Sequence, residues 1–163
     1  MGLIRCAAYY ALTGFVFFLF GRFVPKKHFN PDSFPYKAFE FENDGEIYEK
    51  LGIKSWQSKL PDMSKIFTHF MPPKSMSSHP DSTTISIMLK ETCVAELIHA
   101  ILMLFGLGSF RFFKAKVALV VYFIFFFINL PFILVQRYNR PRLKRLLEAC
   151  KKREPDELNP ITA

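Results

Sequence analysis

The sequence predicts an all-α integral membrane protein: three transmembrane helices, a long, partly structured cytoplasmic loop and a basic C-terminal helix. Three observations carry this expectation. Half of the 163 residues are hydrophobic and 20 are Phe, giving a mean hydropathy of +0.14. The charges crowd into two blocks instead of spreading along the chain. Between them lie three predominantly apolar runs, at 3–24, 91–110 and 117–135, each near the ~20 residues that cross a hydrocarbon core. The chain therefore reads as a single membrane domain, with 25–90 as the loop and 136–163 as the tail.

The first run could also be a secretory signal peptide with Arg5 as its basic region, but no small-x-small cleavage site follows. Pro25 closes the span, and Arg22, Lys26 and Lys27 anchor it at the interface. Aromatic and charged residues alternate over 34–42, which predicts a short strand or an interfacial ribbon. Gly45 and Gly52 bracket a short amphipathic helix over 46–51. Trp56, the single Trp, sits among lysines in a setting suited to headgroup depth. Residues 71–84 read as a loop. Asp81, Ser82 or a following Thr caps a helix that begins near Thr84, enters the membrane near Ala95 and ends about Phe110. After a basic turn over 111–116, the third run carries Asn129, which needs a partner in lipid, and Pro131, which kinks a span. The tail is predicted helical from Arg142 to Lys152 and frayed from Glu154.

The net charge is +8 and the pI about 9.5. The bases flank apolar spans without recognition motifs, so anionic headgroups account for them and nucleic acid is not an expected partner. Residues 22–90 hold ten Lys/Arg and 137–153 hold eight, against four on the opposite side. The excess of bases predicts a multi-pass cell-membrane protein with its N-terminus outside and its loop and tail in the cytoplasm. The three Cys (Cys6, Cys93 and Cys150) form neither CxxC nor a disulfide framework.

Two polar knots interrupt this pattern, and the topology puts both at the cytoplasmic face. The first is Glu91, Glu96 and His99, ionisable groups at the edge of an apolar span, where charge is costly. Helical spacing places Glu96 and His99 on one face within hydrogen-bond reach, the geometry of a carboxylate supporting a general base. Glu91 lies two turns back and about 80° round, lining the same entrance. A structural Glu–His bond is the competing reading. The second knot is Gln136, Arg137, Tyr138, Asn139 and Arg140. Arg forks suit phosphate or carboxylate, and the amides and phenol suit sugar hydroxyls. A basic stop-transfer anchor explains the arginines equally well, but not Gln136, Tyr138 or Asn139. Trp56, Lys59 and Asp62 could belong to a loop folded over the site, or to one merely anchored at the interface.

Glu96-x-x-His99 is one half of a di-iron carboxylate pattern whose other half is missing, so no metal is expected. No Gly-rich phosphate loop, Gly-x-Ser-x-Gly elbow or His-Glu-x-x-His occurs, and no cofactor is expected.

With these residues in view, the chain resembles the glycosyl-4,4'-diaponeurosporenoate acyltransferases of staphyloxanthin-type carotenoid biosynthesis. The resemblance rests on Glu91-Thr92 with Ala95-Glu96-Leu97-Ile98-His99. It rests equally on Asn129-x-Pro131 followed by Val135 to Leu143. Phe39-x-Phe41-Glu42 and Lys54-x-Trp56 with Lys59 and Asp62 add weaker support. It implies a membrane enzyme that esterifies a sugar hydroxyl of a glycosylated carotenoid acid, or a related glycolipid, with a fatty acyl group. Its partners would be an acyl donor (acyl-CoA or acyl carrier protein), a glycosylated lipid acceptor and membrane lipids. It further implies His99, backed by Glu96, as the base, and Gln136 to Arg140 as the holder of sugar or donor phosphates. Cys93-Val94 and Ala100 depart from the expected pattern of a basic residue and a Trp, which is compatible with another lipid-linked sugar as acceptor. From outside the family, the alternatives are a non-catalytic scaffold or lipid-binding protein and a different lipid-modifying transferase.

Overall fold

The computed structural model describes residues 1–60 and 81–158. Three long helices, α1 (Gly2–Phe23), α4 (Ser82–Phe105) and α5 (Ala115–Leu158), are each long and apolar enough to cross a membrane. Two short helices, α2 (Glu46–Lys50) and α3 (Ile53–Trp56), lie in the loop, and no strand occurs among the described residues.

Helix α1 is apolar round most of its circumference, so the need to pair its backbone within lipid fixes its helicity while a few contacts fix its place. The Tyr9 and Tyr10 hydroxyls donate to the carbonyls of Phe105 (3.0 Å) and Gly106 (2.8 Å). These carbonyls lie where α4 passes into the 3₁₀ segment, and the tyrosines tie α1 to that junction. The Tyr10 ring also stacks on Phe125 of α5, centroids 4.0 Å apart. Near its other end, Gly21 lets α1 approach Val94 and Ile98. The N-terminus therefore sits beside the α4–α5 turn, and the loop and tail lie at the opposite end. This is the three-span threading that the apolar runs predict.

Helix α4 starts at Ser82, with the Asp81 carboxylate capping the Thr84 N–H at 3.3 Å, as the cap residues predict. Its α-helical part stops at Phe105, and a 3₁₀ segment (Gly106–Arg111) leads into the turn, where Ser109 Oγ donates to the Ala118 carbonyl at 3.0 Å.

The loop departs from expectation. Residues 34–42 form turns leading into a 3₁₀ segment (Glu40–Gly45), not a strand or ribbon. The reason is local: the Glu42 carboxylate reaches back to the Phe39 N–H at 3.1 Å, closing a turn where a strand would need a partner strand. The predicted helix over 46–51 is present as α2, flanked by left-handed Gly45 (φ 96°) and Gly52 (φ 68°). A cluster of Tyr48, Ile53 and Tyr138, joined by Trp56, Leu134 and Val135, fastens α2 and α3 to α5.

The second departure is α5 itself. The predicted break between a span ending at 135 and a helix restarting at Arg142 is absent, and the 44-residue helix runs through both Pro131 and Pro141. An interior Pro costs roughly 3 kcal/mol. That cost is offset at Pro141 by the buried side chains just before it, Tyr138 and Arg140, which require a helical register. The helix also continues beyond Glu154, where fraying was expected.

Gly108 gives a test of the α1–α4 contact. A Cβ added there would lie 2.5 Å from the Tyr9 ring, whereas Gly14 has nothing within 4 Å. Gly108→Ala is expected to lower stability by about 1–3 kcal/mol, read as a lower thermal unfolding midpoint in detergent. Gly14→Ala should cause no such loss.

Candidate active site

The two polar knots meet at the loop-side end of α4 and α5. On α5, Arg137 and Arg140 are three residues apart and share a face. On α4, Thr92 and Glu96 are four apart and face them. The Glu96 carboxylate bridges both arginines: Oε1 accepts from Arg137 Nη1 at 2.6 Å, and Oε2 from Arg140 Nη2 at 2.5 Å. Glu42 from the loop takes Arg137 Nε at 2.5 Å and accepts the Tyr48 hydroxyl at 2.6 Å. Two carboxylates and two guanidiniums thus form a charge-neutral quartet, each side chain 10% exposed or less.

The quartet also holds backbone. Arg137 donates to the carbonyls of Pro35 and Lys37, both at 3.2 Å, and Arg140 to that of Tyr36 at 2.6 Å. Arg140 Nε reaches Thr92 Oγ1 at 3.0 Å. Arg137 thereby uses four of its five N–H donors within the protein. A cavity of about 70 Å³ adjoins the two arginines, Glu42 and Lys144.

Burial pushes the Glu42 carboxyl up, but hydrogen bonds from Arg137 and Tyr48 and the charge of Arg137 more than reverse it. Its affinity for a proton falls below the ordinary value of 4.5. The Tyr48 phenol is raised by burial and by the adjacent Glu42.

His99 lies one turn deeper, about 4.5 Å along the α4 axis from Glu96. Here the structure corrects the expected dyad. Both Glu96 oxygens are engaged by arginine, and His99 Nδ1 instead meets Asn129 Oδ1 of α5 at 2.9 Å. The Asn129 amide is oriented by its own Nδ2, which donates to the Phe125 carbonyl at 2.9 Å. Its Oδ1 is therefore an acceptor, Nδ1 of His99 carries the proton, and Nε2 is the basic nitrogen. Phe132 stacks on the imidazole with centroids 4.5 Å apart and planes 8° from parallel.

The remaining candidates disperse. Glu91 pairs with Lys26 at the loop junction rather than lining an entrance to His99. Tyr138 is buried, its hydroxyl donating to Glu49 at 3.2 Å and accepting from Arg142. Trp56 packs in the Tyr138 cluster and its indole N–H donates to the Leu51 carbonyl at 3.1 Å. Lys59 is exposed at the end of a 3₁₀ turn, and Asp62 lies outside the described residues. Gln136 and Asn139 are half-buried on α5, each one residue before an arginine of the quartet in sequence. Among the described residues no group of His, Cys, Asp and Glu is arranged to hold a metal. Sequence reasoning quoted Glu42 and Thr92 only as carriers of the resemblance and gave neither a place in the site. It noted that Asn129 needs a partner without naming His99.

Residues 25–149, which contain the quartet, His99 and Asn129, match the family model described as glycosyl-4,4'-diaponeurosporenoate acyltransferase. The chain belongs to this family. It is 32% identical over 152 residues to the glycosyl-4,4'-diaponeurosporenoate acyltransferase of Staphylococcus aureus strain bovine RF122 / ET3-1, covering 91% of this chain and 89% of that protein. The protein of the same name from strain N315 is 31% identical over 156 residues, with the same coverage. No solved structure matches. Membership makes this chain an acyltransferase, and its three apolar helices make it a membrane protein.

Breaking the quartet tests its worth. Glu96→Gln leaves the buried Arg140 without a carboxylate and Arg137 with Glu42 alone; it is expected to cost about 3–5 kcal/mol, seen as a lower unfolding midpoint. Because the fold depresses the Glu42 proton affinity, its contribution is present above pH 4.5 and is lost as pH falls through the lower folded value. Acid titration of unfolding should show this loss in the parent, and Glu42→Gln should flatten it.

Proposed function

We propose that this acyltransferase esterifies a sugar hydroxyl of a glycosylated carotenoid acid, or of a related glycolipid, with a fatty acyl group. The relatives' name supplies the acceptor class. The observation that carries the chemistry is the Asn129–His99 pair, which sets Nε2 as a base in a largely apolar setting. In this reading Nε2 takes the proton of the sugar hydroxyl as its oxygen attacks the thioester carbonyl of acyl-CoA or an acyl carrier protein. The tetrahedral intermediate collapses, the C–S bond breaks, and the imidazolium returns its proton to the departing thiolate. Asn129 fills the orienting role that Glu96 was expected to have.

Arg137 and Arg140 act as positioning residues, because their donors are committed to protein acceptors. Gln136 and Asn139 are the sugar-binding candidates that remain in the second knot. The substrate tails lie among the Phe-rich helices. The excess of bases on the loop and tail supports the site facing the cytoplasm, with the N-terminus outside.

His99→Ala is expected to reduce acyl transfer by roughly 10²–10⁴-fold, measured as loss of the fatty-acid ester by mass spectrometry of membrane lipids. Asn129→Ala should lower turnover while the folded fraction is kept. Full activity in His99→Ala would sink the assignment.

A further inference from the structure

The acyl-transfer chemistry leaves one surface of the loop unused. Phe34 is 84% exposed, Phe41 67% and Phe39 43%. The rings of Phe39 and Phe41 stack with centroids 5.5 Å apart and planes 10° from parallel, so they present one apolar face. Aromatic rings bury 150–250 Å² each when covered, and three in eight residues are a costly surface to leave in water.

Their depth is fixed by the quartet. The carbonyls of Pro35, Tyr36 and Lys37 are held by Arg137 and Arg140, and the Arg137 guanidinium lies over the Phe39 ring at 4.7 Å. Arg137 is two residues past Val135, the last residue of the uncharged run, hence about 3 Å beyond it along the helix. The headgroup layer is roughly 5–7 Å thick on each side of the hydrocarbon core. One ring spacing from Phe39 therefore keeps Phe41 within reach of that layer, and aromatic rings favour this depth. The carbonyls of Pro35, Tyr36 and Lys37 are turned inward on the arginines, while the side chains of Lys37 and Glu40 stand exposed beside the rings, a mix of aromatic and charged groups that suits headgroup depth.

We propose that Phe34, Phe39 and Phe41 form a lip that dips into the headgroup–acyl boundary of the bilayer. The lip presses the loop onto the membrane at the point where the quartet grips it. The assignment is independent of the role given to His99.

The test uses the full chain in phosphatidylcholine vesicles. Phe41→Trp is made in a Trp56→Phe background, so that the new indole is the only one. Its fluorescence should fall about twofold or more when the lipid carries bromines near the headgroup end of its acyl chains, and aqueous iodide should have little effect. Phe34→Trp in the same background should behave alike and covers the case in which Phe41→Trp fails to fold. Quenching by iodide but not by brominated lipid would place the rings in water. Quenching by neither would place them against protein. Either result overturns the proposal.

Discussion

The structure depends on the neutral quartet of Glu42, Glu96, Arg137 and Arg140 at the loop-side end of the helix pair. Two carboxylates and two guanidiniums at the edge of a membrane would each be costly to desolvate alone. Brought together they cancel in charge, and the planar forks of arginine meet two acceptors at a time. Lysine could not do this, since a single ammonium would leave either Glu42 or a loop carbonyl without a donor. The arrangement joins three parts of the chain: α4 through Thr92 and Glu96, α5 through the arginines, and the loop through Glu42 and three successive carbonyls. Flanking pairs, Lys144 with Asp32 and Arg145 with Asp44, extend the same attachment along α5. These lie in solvent and add little by themselves.

The quartet also sets what lies below it. Once Glu96 is locked against Arg137 and Arg140, the sliding and rotation of α4 on α5 are fixed, and His99 must fall beside Asn129. Helix–helix packing between apolar surfaces in lipid has no hydrophobic force to align it. A polar register mark at the interface supplies that alignment, and the Tyr9 and Tyr10 bonds supply a second at the opposite end. The histidine environment is thus a consequence of charges one turn away.

Much of the architecture could be read from the sequence because membrane burial imposes simple rules. The three apolar runs, the Asp81 cap, the α2 segment and the convergence of the two knots follow from length, periodicity and charge. What could not be read was partner choice. Glu96 and His99 are correctly spaced for each other, but two arginines outcompete one imidazole for a carboxylate, and nothing local to 91–99 reveals them. Asn129 was visible as a polar residue in need of a partner, yet its pairing with His99 depends on the register of another helix. The strand expected over 34–42 failed because alternation alone cannot create a neighbouring strand. Glu42 was obscured by that same alternation, where it read as one outward-facing charge among aromatics. The uninterrupted α5 shows the converse: Pro141 is a strong local stop signal, and tertiary contacts of Tyr138 and Arg140 override it.

The committed state of the arginines bears on where a substrate could be held. A basic cluster near a membrane invites a phosphate or sugar reading, and the residue types alone favour it. Yet an incoming anion would have to displace Glu42 or Glu96, both hydrogen-bonded and buried, or a hydrogen-bonded loop carbonyl, and a displaced carboxylate would be left uncompensated at the membrane edge. Any ligand gain must exceed that loss, so the arginines serve the reaction better by staying paired. On the acyl-transfer proposal, recognition would fall to groups whose hydrogen-bonding capacity is not spent on the fold. The proposed ones on α5 are the amides of Gln136 and Asn139, neutral donors and acceptors matched to hydroxyls rather than to phosphate. On that proposal the basic motif maintains the shape of the site, and its neutral residues would meet the substrate.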